Sequence, residues 1–240
     1  MSDDDRPIGS VLTRREALAL LGAGGLAVLA PGRGAAQPAG TPACVARPAL
    51  TEGPFFVDEK LERSDIRSDP ADGSVRPGVP LQLALRVSRL SRGACAPLPG
   101  ATVDIWHCDA VGVYSDVQDP GGATLGKKFL RGYQTTDADG LARFTTIYPG
   151  AYRGRAVHIH FKIRSAAAGG RVHDFTSQLF FDDALSDQIY ARPPYAGRGE
   201  QRVRNARDGI FRNAGARLML AVTPAAPGYA GTFELALDTA

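Results

Sequence analysis

Histidine is scarce in this chain, with four among 240 residues, and cysteine is scarcer still at three. No CxxC spacing occurs, and His107 is the only histidine close to a cysteine, so the thiol-rich ligand sets of zinc have no basis here. Walker and dinucleotide glycine motifs are both missing, which removes the common nucleotide-binding classes. An excess of one charge is missing too: 28 basic and 25 acidic side chains leave a net charge of +3. A balance this mild, spread along the chain, provides no electrostatic footprint for nucleic acid or an anionic membrane. No internal repeat or low-complexity segment stands out. What is there is a globular composition, 44% hydrophobic and 22% charged, which excludes a disordered or fibrous chain.

The N-terminus reads as an export signal over residues 1–36. Thr13-Arg14-Arg15 precedes the apolar or small stretch Ala17 to Ala30, and Gly34-Ala35-Ala36 follows as a small-residue cleavage site. A charged start, an apolar run of this length and such a site are the parts of a secretory signal. The run is shorter than the roughly 20 apolar residues of a membrane span. Paired arginines predict the twin-arginine route and a periplasmic or extracellular location; the ordinary route for unfolded passengers is the alternative. No stable membrane anchor is expected after processing. Residues 37–50, rich in Pro, Ala and Gly, read as a tether. Residues 51–240 read as one domain, long enough for a sizeable core. Cys44, Cys95 and Cys108 all fall in the exported part, where an oxidising compartment permits one disulfide and leaves one thiol over. All three pairings stay open.

Beyond Pro80 the pattern is of short apolar or alternating runs: Leu81–Val87, Ala101–Trp106, Ala142–Tyr148, Ala156–Ile163, Phe175–Phe181, Ala216–Val222 and Thr232–Leu237. Pro99-Gly100, Asp137-Ala138-Asp139-Gly140, Pro149-Gly150 and Gly169-Gly170 punctuate them. Strand-length runs broken by turn residues predict an all-β fold, an antiparallel β-sandwich with long loops. One or two short helices are expected as well. Ser186 is positioned to cap a turn through Gln188 and Tyr190, and Glu200–Asp208 reads as an exposed charged helix.

The strongest chemical feature is His158-Ile159-His160 inside the run Ala156–Ile163. Side chains alternate faces on a strand, so both imidazoles point one way and Val157, Ile159 and Phe161 point to the core. Such a pair can serve as two metal ligands; the plain alternative is two hydrogen-bonded or solvent-facing histidines. A cupin would supply a glutamate soon after, but none comes before Glu200, and the HxD or HxE of a facial-triad iron site is absent. Tyrosine, by contrast, is dense nearby: Tyr148 and Tyr152 lie upstream, and Tyr114 follows the turn-like Gly112. A phenolate is a hard anionic oxygen ligand. With a reference pKa of about 10, it needs a strongly Lewis-acidic ion such as Fe(III) to deprotonate it at neutral pH. Two His with two Tyr suit ferric iron better than zinc or copper.

Other candidates carry less. Trp106 reads as a core residue on its strand, His107 faces the opposite way, and His173 reads as a loop residue. Asp137 and Asp139 suit a turn beside Gly140, since a calcium loop needs more oxygen ligands. Six arginines between Arg192 and Arg212 read as a solvated face with acidic partners, recruitment of anionic aromatics being the lesser alternative.

Three segments together resemble the intradiol ring-cleavage dioxygenases. Pro99-Gly100-Ala101 through Asp104-Ile105-Trp106-His107-Cys108-Asp109-Ala110-Val111-Gly112-Val113-Tyr114-Ser115 is similar to that family's first iron-tyrosine segment. Tyr148-Pro149-Gly150-Ala151-Tyr152-Arg153-Gly154-Arg155-Ala156-Val157-His158-Ile159-His160-Phe161 is similar to the second. Thr51-Glu52-Gly53-Pro54-Phe55-Phe56 and Arg63-Ser64-Asp65-Ile66-Arg67 resemble the stretch that enters the active site ahead of the β-core. The resemblance runs from about Thr51 to Asp182, with the motifs in the family's order.

That resemblance implies Fe(III) bound by Tyr114, Tyr152, His158 and His160, with Tyr148 as a packed strand-end aromatic. It implies that Tyr152 also takes up a substrate proton, that Arg155 stabilises charge on the ring, and that Gln178 sits near the oxygen site. The implied reaction joins a small catecholic substrate to O2 and yields a cis,cis-muconate-type product; the ring edge is expected to meet Thr51–Phe56 and Cys108–Val113. Ala151 stands where relatives often carry a bulkier residue, an expected widening of the pocket. No long helical N-terminal region exists, so the chain resembles the compact exported branch or a protocatechuate-type subunit core, and a homo-oligomer is allowed. The competing expectation is an exported β-sandwich module that binds aromatics or metal without turnover.

Overall fold

A single long strand organises the architecture. The computed structural model describes residues 44–91, 93–119, 122–166, 172–198 and 202–238. The signal expected at 1–36, the tether up to residue 43, the turn at Gly169-Gly170 and the start of the helix expected at Glu200 lie outside them. Strand β1 (Pro80–Ser91) buries Leu81, Leu83, Leu85 and Val87 while Gln82 is exposed and Ala84 and Arg86 are half-buried, the period of two that one covered face demands. One edge of β1 is shared: its first half pairs antiparallel with β7 (Leu141–Ile147) and its end with β2 (Ala94–Pro97). Its other edge runs parallel to β11 (Gly228–Asp238), which forms a hairpin with β10 (Val222–Ala225).

The second sheet is antiparallel throughout, in the order β6 (Arg131–Thr135), β3 (Thr102–Trp106), β8 (His158–Ala166) and β9 (Val172–Phe180). Its inward residues Val103, Ile105, Ile159, Phe161 and Ile163 meet the leucines of β1 in one continuous core. A small ribbon, β4 (Gln118–Asp119) with β5 (Gly122–Ala123), decorates a loop. Two short α-helices occur among the described residues, α1 (Asp183–Tyr190) and α2 (Gly209–Ala214). The expected antiparallel sandwich is therefore present, with one parallel pair.

Several local expectations are corrected. Strand β8 starts at His158 instead of Ala156. Ser186 lies inside α1; the cap is Asp182, whose carboxylate accepts from Leu185 N. Helix does not run through 202–208: only a 3-10 turn at Asn205–Arg207 forms, and Asp208 opens α2 by accepting from Ile210 N and Phe211 N. A residue whose carboxylate holds the amides after it starts a helix and cannot end one. The run Ala216–Val222 becomes a 3-10 turn (Gly215–Leu218) and a single bridge from Met219 to Phe180 before β10 begins. His173 sits on β9, paired with Ser165. Of the three cysteines, Cys44 and Cys95 are joined and Cys108 is a buried thiol.

Two loops that prove important for the site are pressed backbone to backbone. Asp109 turns its loop by accepting from Val111 N and Val113 N, each at 3.0 Å. Gly150 N donates to Asp109 O at 3.1 Å. A Cβ on Gly150 would lie 2.2 Å from that oxygen, and one on Gly112, at φ +87°, would lie 2.3 Å from Ala151 O. Only glycine permits this approach, and it sets the spacing of Tyr114 and Tyr152. Gly150→Ala should therefore cost about 1–3 kcal/mol in a urea melt and disturb both tyrosines. Cys95→Ser, by releasing a bridge between residues separated by 51 positions, should cost about 2–4 kcal/mol in the same measurement.

Candidate active site

Cross-strand register assembles the centre of the site. His160 on β8 is paired with Trp106 on β3 and with Gln178 on β9, and His158 is paired with Phe180. The imidazoles share the face of β8 that looks away from the sandwich core, as alternation requires. That face is nonetheless covered: His158 and His160 are each 3% exposed. The covering elements are the stretch Thr51–Phe56 and the loops carrying Tyr114 and Tyr152. Trp106 is buried as a core residue, as expected, within a second apolar cluster with Cys108, Tyr114 and Val117. Its indole stacks under His160 at 4.9 Å and 11°.

Three donor atoms converge. His158 Nε2 lies 3.0 Å from His160 Nε2 and 3.2 Å from the Tyr114 hydroxyl. His158 Nδ1 is 2.7 Å from Ala156 O. A carbonyl can only accept, so Nδ1 carries the proton and Nε2 presents a lone pair. Burial, and then the positive charge of Arg155, push the His158 imidazole down to about 3. His160 is lowered by burial and by His158. Burial raises the Tyr114 phenol well above its ordinary value. Both rings are thus neutral, the form in which imidazole ligates.

Tyr114 is braced by Phe55, stacked at 4.6 Å. Tyr152 is half-buried, edge-on to Tyr114 with ring centroids 5.3 Å apart. Tyr114, Tyr152, His158 and His160 border a pocket of about 240 Å³, with Phe55, Arg155 and Ile210 among its other walls. The structure therefore brings Tyr114, Tyr152, Arg155, His158 and His160 to one place. Gln178 reaches it indirectly, accepting from Arg155 Nη2 at 2.6 Å and donating to Thr51 O at 3.1 Å.

Some expected residues are elsewhere. Tyr148 is buried and donates to Ser186 Oγ at 2.7 Å against Phe181, a packing role. Cys108–Val113 do not border the pocket, and neither does Ala151, which is buried with its carbonyl against Gly112. His107 is buried, donating from Nδ1 to Cys108 O at 2.8 Å and accepting at Nε2 from Thr146 Oγ1 at 2.7 Å. Burial pushes it down to about 4. Within the arginine-rich stretch, Arg202 is almost fully covered and paired with Asp183 and Asp187.

Three participants were not singled out in the sequence. Ile210 forms one wall, and Asp208 holds Arg155 Nε at 2.9 Å. Asp208-Gly209 ahead of Ile210-Phe211 is a helix-start signal, the only clue to either. Arg131 is the third: it donates from Nε to Ser115 Oγ at 2.8 Å and from Nη1 to Phe55 O at 2.7 Å. It thereby ties the Tyr114 loop to the covering stretch.

Among the described residues no group of three or more His, Cys, Asp or Glu could hold a metal. A cation here would need phenol oxygens, and the donor set of two imidazole nitrogens with phenols fits ferric iron. His160 Nδ1 is buried with no hydrogen-bond partner among the described residues, so its orientation is set by stacking and by whatever Nε2 faces.

Comparison with known proteins identifies relatives of the chain. A dioxygenase family model matches residues 51–196. The chain is 33% identical over 157 residues to the protocatechuate 3,4-dioxygenase beta chain of Burkholderia cepacia, covering 60% of this chain and 65% of that one. It therefore spans just under two thirds of that relative's length. Among solved structures, an intradiol ring-cleavage dioxygenase from Tetranychus urticae is 32% identical with a TM-score of 0.67, covering 78% of this chain and 92% of the other. The dioxygenase domain of a dioxygenase–carbohydrate-binding protein fusion from Streptomyces sp. SirexAA-E is 34% identical with a TM-score of 0.56, covering 80% and 98%. The matched stretch contains both tyrosine loops and the paired histidines, and the chain belongs to the intradiol ring-cleavage dioxygenase family.

Proposed function

We propose that this chain opens the ring of a small catechol-type substrate with O2 between its two hydroxyl-bearing carbons, giving a cis,cis-muconate-type product. Tyr114, Tyr152, His158 and His160 would hold Fe(III). The observation that carries this reading is the convergence of His160 Nε2 and the Tyr114 hydroxyl within 3.2 Å of His158 Nε2, all three residues lining one pocket. Bound there, ferric iron supplies Lewis acidity toward the catechol oxygens.

The protein's own groups do the rest. Of the two phenols, Tyr114 is buried under Phe55 whereas Tyr152 is half-buried beside the pocket. Held as a phenolate, Tyr152 would be the one placed to take a proton from a substrate hydroxyl onto its oxygen. Arg155 holds a guanidinium at the pocket edge, where it stabilises negative charge spreading over the ring in a site screened from water. Gly53, Pro54 and Phe55 cover the imidazoles, with Gly53 so close that a Cβ would stand 3.4 Å from His160 Cε1. The Cys44–Cys95 disulfide supports an exported, oxidising workplace.

Iron-loaded protein should show a visible tyrosinate-to-iron absorption and consume O2 with catechol, the product spectrum reporting intradiol opening. A protein that stays colourless after iron loading refutes the ferric site. Catechol that perturbs the colour without oxygen uptake would favour the binding module instead. His158→Ala should abolish both colour and turnover. Arg155→Ala should keep the colour while kcat falls about a hundredfold or more, the scale seen when one group stabilising developing charge is removed.

A further inference from the structure

We propose that Asp208, which lies beyond the stretch matched by the family model, is the positioning residue for Arg155. The inference rests on the ring-cleavage reading above. Asp208 is 1% exposed and its carboxylate accepts four hydrogen bonds. One oxygen, Oδ2, takes Arg155 Nε at 2.9 Å and Ala156 N at 2.7 Å. The other, Oδ1, takes Ile210 N at 2.7 Å and Phe211 N at 3.0 Å. Burial works to raise this carboxyl, yet the charge of Arg155 and the donated amides hold it below its ordinary value. It remains an anion.

The consequence for Arg155 is geometric. A lone arginine samples many rotamers, and ordering it has an entropic cost. Here the planar guanidinium is gripped at two separate points, by Asp208 at Nε and by Gln178 Oε1 at Nη2. Two charge-assisted or directional bonds at separate corners of a rigid fork fix its plane and tilt. Gln178 in turn is held by Thr51 O, so the arginine is clamped between β9 and the start of α2. Because rate depends steeply on the placement of reacting groups, losing one grip should reduce turnover while leaving substrate binding nearly intact. The same carboxylate docks α2, whose Ile210 borders the pocket. Fold and positioning must therefore be separated by experiment.

Two variants do so. Asp208→Asn retains one oxygen to cap α2 but loses the ion pair, and Asp208→Ser is a comparably good helix cap with no charge and little reach. In iron-loaded full chain, each should keep the visible absorption and lower kcat about tenfold or more, with KM changing less than about threefold. In an Arg155→Ala background, Asp208→Asn should add less than about a twofold further loss, because the group it serves is gone. Full additivity, or unchanged kcat in a folded variant, overturns the proposal; should Asp208→Asn fail to fold, Asp208→Ser decides. A second readout is independent of turnover. The Arg155 Nε–H signal in nitrogen-15 NMR of the iron-free chain should be protected from exchange in the wild type and lose that protection in Asp208→Ser. An unaltered signal overturns the positioning role. If the wild type consumes no oxygen with any catechol, the ring-cleavage reading fails, and the NMR result still decides what Asp208 does.

Discussion

The face of β8 that carries His158 and His160 is turned away from the sandwich core, where an ordinary sheet would meet water. Instead it is sealed by backbone that has no regular structure of its own. Sealing a polar face is costly unless its donors and acceptors find partners, and the arrangement around the imidazoles follows from that constraint. His158 is satisfied by Ala156 O, Lys162 on the same face by Glu52 at 2.6 Å, and Gln178 by Arg155 and Thr51. What is left converging in the middle is a set of neutral nitrogens and a phenol, which is a ligand set. The site thus gathers polar groups of that face that the described residues leave without hydrogen-bond partners, His160 Nδ1 and Trp106 Nε1 among them.

The sandwich was legible because both sheets write their burial into the chain. Leu81 to Val87 alternate cleanly, and Ile159 and Phe161 interleave with the histidines, so periodicity alone located β1 and β8 to within a few residues. Strands that lack such a signal were missed: Ala94–Pro97 is too short, and Arg131–Thr135 mixes Arg, Gly, Tyr and Gln. Their places are dictated by pairing with β1 and β3 and not by their own propensity. The paired histidines and both tyrosines could be found because their spacing to turn residues is local. Asp208, Ile210 and Arg131 could not, since each reaches the site from far along the chain. His107 and Trp106 show a related limit. Alternation states which way a side chain points, but whether that side is covered depends on loops whose course no period describes.

The two tyrosine loops show how tolerance and constraint coexist. Neither loop has helix or strand to hold it, yet Gly112 and Gly150 allow main chain to lie on main chain, where no side chain can intervene. Loop positions are usually variable, but here two of them are as restricted as any core leucine. The disulfide and the parallel partner strand β11 then tether the start of the described chain to the sandwich, with Ala46 bridged to Ala236.

Arg131 carries a final implication. The stretch over the imidazoles is stitched at Leu50 to Thr176, at Thr51 to Gln178, at Glu52 to Lys162 and at Phe55 to Arg131. Fastened at four points, it cannot lift as a flap. Tyr152, Arg153 and Ile210, outside that stretch, also border the pocket. Under the proposed ring cleavage, a pocket bordered by so fastened a stretch would take up its substrate without that stretch moving.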